Sequence, residues 1–118
     1  MHTNAFANCD AKATGSASYS KAKNFVYAVP EVKAWRKLVY ATGRKVITVP
    51  TMDHQILINE KCYWSVNLYE DTPDHVIRFN QFYVQVNSSK ILVDDVIGGH
   101  PMTLKQWRAQ LERWRSKK

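Results

Sequence analysis

Long apolar runs are missing from this chain: each breaks after a few residues, far short of the roughly 18 to 20 that a membrane-spanning helix needs. No membrane span is expected. Glycine is scarce, four in all, and these four give neither the phosphate-cradling P-loop spacing nor the dinucleotide-binding one. A Gly-x-Ser-x-Gly nucleophile elbow is also absent. The histidines never stand at the short His-x-x-x-His spacing of a metal site. These absences remove the reactions that short motifs announce, so no catalytic residue, cofactor or metal is assigned. An enzymatic role stays open, and the reading leans to a non-catalytic one.

Cysteine is limited to Cys9 and Cys62. Cys9 lies among Ala, Ser and Lys with no periodicity, whereas Cys62 begins the most aromatic strand of the chain. A disulfide between them would pin the N-terminal segment to the sheet and stabilise by about 2 to 4 kcal/mol; the alternative is a free Cys9 and a buried Cys62. Ala5-Phe6-Ala7 has the small-x-small form that precedes leader cleavage. Together these features predict an exported protein, periplasmic or secreted, with a cytoplasmic one as the alternative.

Acidic residues are outnumbered, 10 against 17 Lys and Arg, and the charge is sorted by segment. Residues 1–45 carry a balance of +6 and residues 103–118 one of +5, while residues 46–102 carry −4. The basic composition therefore describes the two ends and hides an acidic middle.

What is plentiful is aromatic: four Trp, six Tyr and four Phe in 118 residues, enough for one hydrophobic core and one domain. Residues 1–23, with Gly15-Ser16-Ala17-Ser18-Tyr19-Ser20, read as a flexible tail, and residues 24–118 as a single domain. Pro30 and Glu31 suit a helix start. Val32, Trp35, Leu38 and Val39 then fall on one stripe, and Gly43 stops a helix of about 30–42. Strands follow at 45–51 and 55–59, then at 62–70, where Trp64, Val66 and Leu68 alternate with Tyr63, Ser65, Asn67 and Tyr69. The segment 75–87 slips phase at Asn80-Gln81, which suggests a β-bulge, and 90–96 pairs back. Thr103 to Gln106 fits a capping box with Met102 and Trp107 as a hydrophobic staple. Leu104, Trp107, Leu111 and Trp114 form the buried stripe of that last helix.

The fold class is α+β: an N-terminal helix, a curled antiparallel sheet of four to five strands, and a C-terminal helix. This order is similar to cystatin-like folds at the level of architecture, which carries no function by itself.

Asp53-His54 and Asp74-His75 both fall in expected turns as solvated residues, and neither is arranged as an acid–base couple. His54, His75, His100, Asp94 and Asp95 lack convergent metal-ligand spacing. The two basic helices could form a nucleic-acid stripe if they pack side by side, but Glu60, Glu70, Asp71, Asp74, Asp94 and Asp95 would repel phosphate. On the other phase of the central strands, Tyr63, Asn67, Tyr69, Arg78, Tyr83 and Gln85 would share an aromatic, amide-bearing face suited to another protein. The competing expectation is that the last helix covers this face with Trp107 and Trp114. The leading reading is a small exported, bacterial-type protein-binding domain: an inhibitor, immunity factor or secretion-system accessory. Its contacts would be Tyr63, Asn67, Tyr69, Asp71, Asp74, Arg78 and Tyr83; the alternative is a nucleic-acid-binding module using two basic helix faces.

Overall fold

The computed structural model describes Cys9, residues 11–95 and residues 98–116; the Ala5-Phe6-Ala7 segment lies outside the described residues. Where the sequence reads as a tail through residue 23, the described part is packed. Ser16 is extended (φ −87°, ψ 122°) and caps α1 (Ala17–Tyr27), its Oγ accepting from the Tyr19 amide at 3.1 Å. Tyr19, Ala22 and Val26 are the buried stripe of α1, and Trp64 Nε1 donates to Ser18 Oγ at 2.9 Å. The correction has a simple cause. Ala and Lys are good helix formers, and a narrow stripe is enough when a sheet stands ready to receive it.

The second helix, α2 (Pro30–Ala41), starts on Pro30 and Glu31 as expected. It ends where Thr42 Oγ1 donates to the Val39 carbonyl at 2.6 Å and Gly43 turns the chain at φ +80°. Val32 and Val39 are buried, but Leu38, expected on the same stripe, is 70% exposed.

Six strands follow: β1 (Lys45–Ile47), β2 (Gln55–Ile58), β3 (Lys61–Asp71), β4 (Val76–Gln85), β5 (Ile91–Val93) and β6 (Met102–Thr103), and then α3 (Leu104–Ser116) closes the chain. The fold is the expected single-domain α+β one, with three helices and six antiparallel strands among the described residues in place of two helices and four to five strands. The sheet order is β1-β3-β4-β5-β6, and β2 shares the free edge of β3 with β1. β1 matches Tyr69–Asp71 and β2 matches residues 61–64. Residues 48–54 fill the gap between them, with the Ser65 amide donating to the His54 carbonyl at 3.0 Å. β1 is shorter than expected because Pro50 cannot donate to a ladder and begins a turn instead.

The bulge exists, one position away from its expected site. Leu68 pairs with Asn80 and Tyr69 with Arg78, so Phe79 is the extra residue. The Phe79 ring stacks on Trp35 at 3.9 Å and 12°, and lies 6.4 Å from Phe82.

The main core joins Trp64, Val66, Leu68, Phe82 and Val84 of the central hairpin to Tyr19, Val26, Val32 and Trp107 of the helices. Trp107 meets Phe82 edge to face at 5.6 Å. The capping box forms as read: Gln106 N–H donates to Thr103 Oγ1 at 3.1 Å, and Thr103 N–H donates to Gln106 Oε1 at 2.8 Å. The Cys9–Cys62 disulfide is present, with Cα atoms 5.2 Å apart across a sequence separation of 53.

Candidate partner-binding groove

Two regions of the sheet receive its helices differently. At one end, a strap of residues 11–16 runs beside residues 53–55 at the start of β2: Lys12 forms a β-bridge with His54, Gln55 N–H donates to the Ala11 carbonyl at 2.9 Å, and Ala13 N–H donates to the Asp53 carbonyl at 3.2 Å. Asp53, expected in a solvated turn, is instead 2% exposed. Its Oδ2 accepts from the Tyr19 hydroxyl and its Oδ1 from Asn67 Nδ2, the latter at 2.8 Å. The carboxylate is buried because it closes the gap between β1 and β2 with donors from α1 and β3. Burial, and then this carboxylate, hold the Tyr19 phenol well above its ordinary pKa.

At the other end the sheet is only partly covered. α2 and α3 flank a groove of about 610 Å³ whose floor is Phe79 and whose walls include Trp35, Leu38, Leu111 and Trp114. Leu38 is 70% and Trp114 48% exposed. The stack of Trp35 on Phe79 fixes the floor, and Glu31 of α2 holds Arg108 of α3 at 2.8 Å across one end. The Arg108 hydrogen bond keeps the Glu31 carboxyl below its ordinary pKa. Glu31 Oε1 is buried and has no hydrogen-bond partner among the described residues. On the strand side Arg78 donates to Gln81 Oε1 at 2.6 Å and lies 3.7 Å from Asp94, which also accepts from the Tyr83 hydroxyl at 3.1 Å. An apolar cleft of this size with a few fixed polar groups on its rim has the anatomy of a binding site.

The residues expected to contact a partner are dispersed. Tyr63 and Tyr83 come together, but they are 2% and 7% exposed, in a second small cluster with Leu92 against Ile56 and Ile58. Burial, with the Asp94 charge and hydrogen bond, pushes the Tyr83 phenol up to about 12. The last helix does not cover these tyrosines, contrary to the competing expectation, since Trp107 belongs to the main core. Neighbouring side chains of the sheet cover them. Asn67 is half-buried and turned to Asp53, Tyr69 is half-buried, and Asp71 and Asp74 lie exposed at the hairpin tip. Arg78 alone of this set lines the groove.

The groove walls are legible in sequence as helix stripes, the same pattern that a core face shows. Leu38 and Trp114 sit at the rims of their stripes, where the pattern is the same whether or not another element covers them. Among the described residues no group of three or more His, Cys, Asp or Glu could hold a metal. Apolar side chains of both α2 and α3 line the groove between them, joined by Arg115 of α3. Arg36 of α2 lies 4.0 Å over the Tyr27 ring of α1.

No family model, no curated protein and no solved structure matches this chain. Geometry and chemistry therefore carry the functional reading.

Proposed function

We propose that this chain is a small exported protein-binding domain, of the kind that serves as an inhibitor, an immunity factor or a secretion-system accessory, and that it holds its partner in the groove between α2 and α3. The observation that carries this reading is an open aromatic cleft with Leu38 and Trp114 exposed at its lip. Partner surfaces favour Trp and Arg anchors in such clefts, ringed by polar groups. The Cys9–Cys62 bond supports export, since disulfides persist in oxidising compartments. No described helix is long and apolar enough to cross a membrane. The alternative, a nucleic-acid stripe across both basic helices, draws less support, because the groove between the helices is lined mainly by apolar side chains.

A photo-crosslinking residue placed at Leu38 in the living source cell tests the reading. A discrete protein adduct is expected from position 38 and none from the distant Glu60, and Trp114→Ala should remove it. Equal labelling from both positions, or none from either, would count against the groove.

A further inference from the structure

β4 is longer than the strand that covers its outer edge. β5 pairs with Phe82, Tyr83 and Val84, and the Asp94 amide donates to the Gln81 carbonyl at 2.9 Å. Along residues 76–80 the strand keeps β3 on one side and, among the described residues, has no strand on the other. An open edge is a template for a further strand, because its outward N–H and C=O groups recur at the spacing of a ladder. Arg78, Phe79 and Asn80 of this edge also line the groove, so backbone template and apolar cleft form one continuous surface.

Charge decides what kind of strand fits. Asp74 precedes the edge and Asp71 stands across the turn from it, both exposed and neither in an ion pair among the described residues. Asp94 stands at the other end, beside Gln81. Glu31, on the groove wall, gives one carboxylate oxygen to Arg108 and has a second, buried one that no described donor satisfies. Against these stand Arg78 on the edge, 3.7 Å from Asp94, and Arg115 on the groove wall, paired with Glu112. A second copy of this chain is a poor occupant. Antiparallel pairing of two such edges about Arg78 sets guanidinium against guanidinium and brings Asp74 of each copy toward Asp94 of the other.

We infer that the groove takes an extended segment of another protein, which adds as a strand to β4 along residues 76–80, sends alternate apolar side chains between α2 and α3, and carries basic residues at its ends. This inference rests on the groove being the partner site and adds backbone pairing to it.

The probe is a synthetic peptide of about seven residues, with Val or Ile at alternate positions, Thr between them and Lys at both ends. It is titrated against the full oxidised chain by fluorescence anisotropy. Saturable binding is expected. Methylating the peptide's backbone nitrogens on one phase should weaken binding about tenfold, and methylating the other phase should leave it unchanged. Replacing the terminal lysines by Glu should weaken it by a similar factor at low salt, a difference that shrinks as salt rises. Equal affinity of the two methylated peptides, or no binding of the parent, overturns strand addition. Failure of the groove reading looks different: Leu38→Asp and Trp114→Ala would then leave parent binding intact while the phase dependence persists. A dimer in sedimentation that Arg78→Ala tightens would put a second copy on the edge and overturn the heterologous occupant.

Discussion

The two ends of the sheet are made of the same materials and finished differently. At the strap end, Tyr19 meets Trp64 edge to face at 5.6 Å, a buried carboxylate takes donors from both sides, and a disulfide ties the chain down. At the groove end, Trp35 stacks on Phe79 just as closely, yet Leu38 and Trp114 remain open to water. Aromatic content does not separate the two; closure by a further layer does. The strap end is the more fully closed, and the groove end leaves apolar surface that a partner can bury without unfolding anything.

Truncating one tryptophan at each end gives the sharpest contrast. Trp64→Ala, at 2% exposure, should lower stability by about 3 to 5 kcal/mol. Trp114→Ala, at 48% exposure, should change it by less than about 1 kcal/mol while weakening partner binding. Urea melts of both variants check this, and equal losses would erase the distinction. Next in size is the disulfide: reduction, or Cys9→Ser with Cys62→Ser, should lower stability by about 2 to 4 kcal/mol. Hydrogen exchange should then rise first in the strap and α1, leaving amides around the groove unchanged. A uniform rise across the sheet would show that the two ends are not separable.

The smallest effect is an alkaline one. The Tyr83 phenol is raised from 10.0 to about 12 in the fold, so between pH 10 and 12 the unfolded chain has released a proton that the folded chain still holds. Stability is therefore full below pH 10 and falls as pH rises through this window, by on the order of 3 kcal/mol at most. Tyr19 shifts in the same direction and adds to the fall. Tyr83→Phe should flatten the melting temperature between pH 10 and 12, and an unchanged slope would remove Tyr83 as its source.

Much of the fold was legible because its signals are local. The capping box at Thr103, the Pro30 start, the alternation of β3 and the pairing of a lone N-terminal cysteine each depend on neighbours in sequence or on simple counting. What escaped depends on distant partners. Asp53 reads as a turn residue, and its buried role comes from Tyr19, 34 residues away, and Asn67, 14 residues away. Residues 1–23 read as a tail because the buried stripe of α1 is only three residues wide until β3 and β4 receive it. Tyr63 and Tyr83 have the alternation of a solvent face, and pattern alone cannot show that Ile56, Ile58 and Leu92 crowd in beside them. Of the candidate site, the residues of its walls are visible in sequence as helix stripes; the gap between those walls depends on where the sheet places α2 and α3.

The bulge in β4 has one more consequence, in the language of insertion and deletion. Because Leu68 pairs with Asn80 and Tyr69 with Arg78, Phe79 is a guest in a ladder that is complete without it. Deleting that single residue would bring Asn80 and Arg78 into regular succession opposite β3 and leave the hairpin's other pairs where they are. The ring on which Trp35 rests would be gone. The floor of the groove thus rests on one residue inserted into an otherwise regular hairpin.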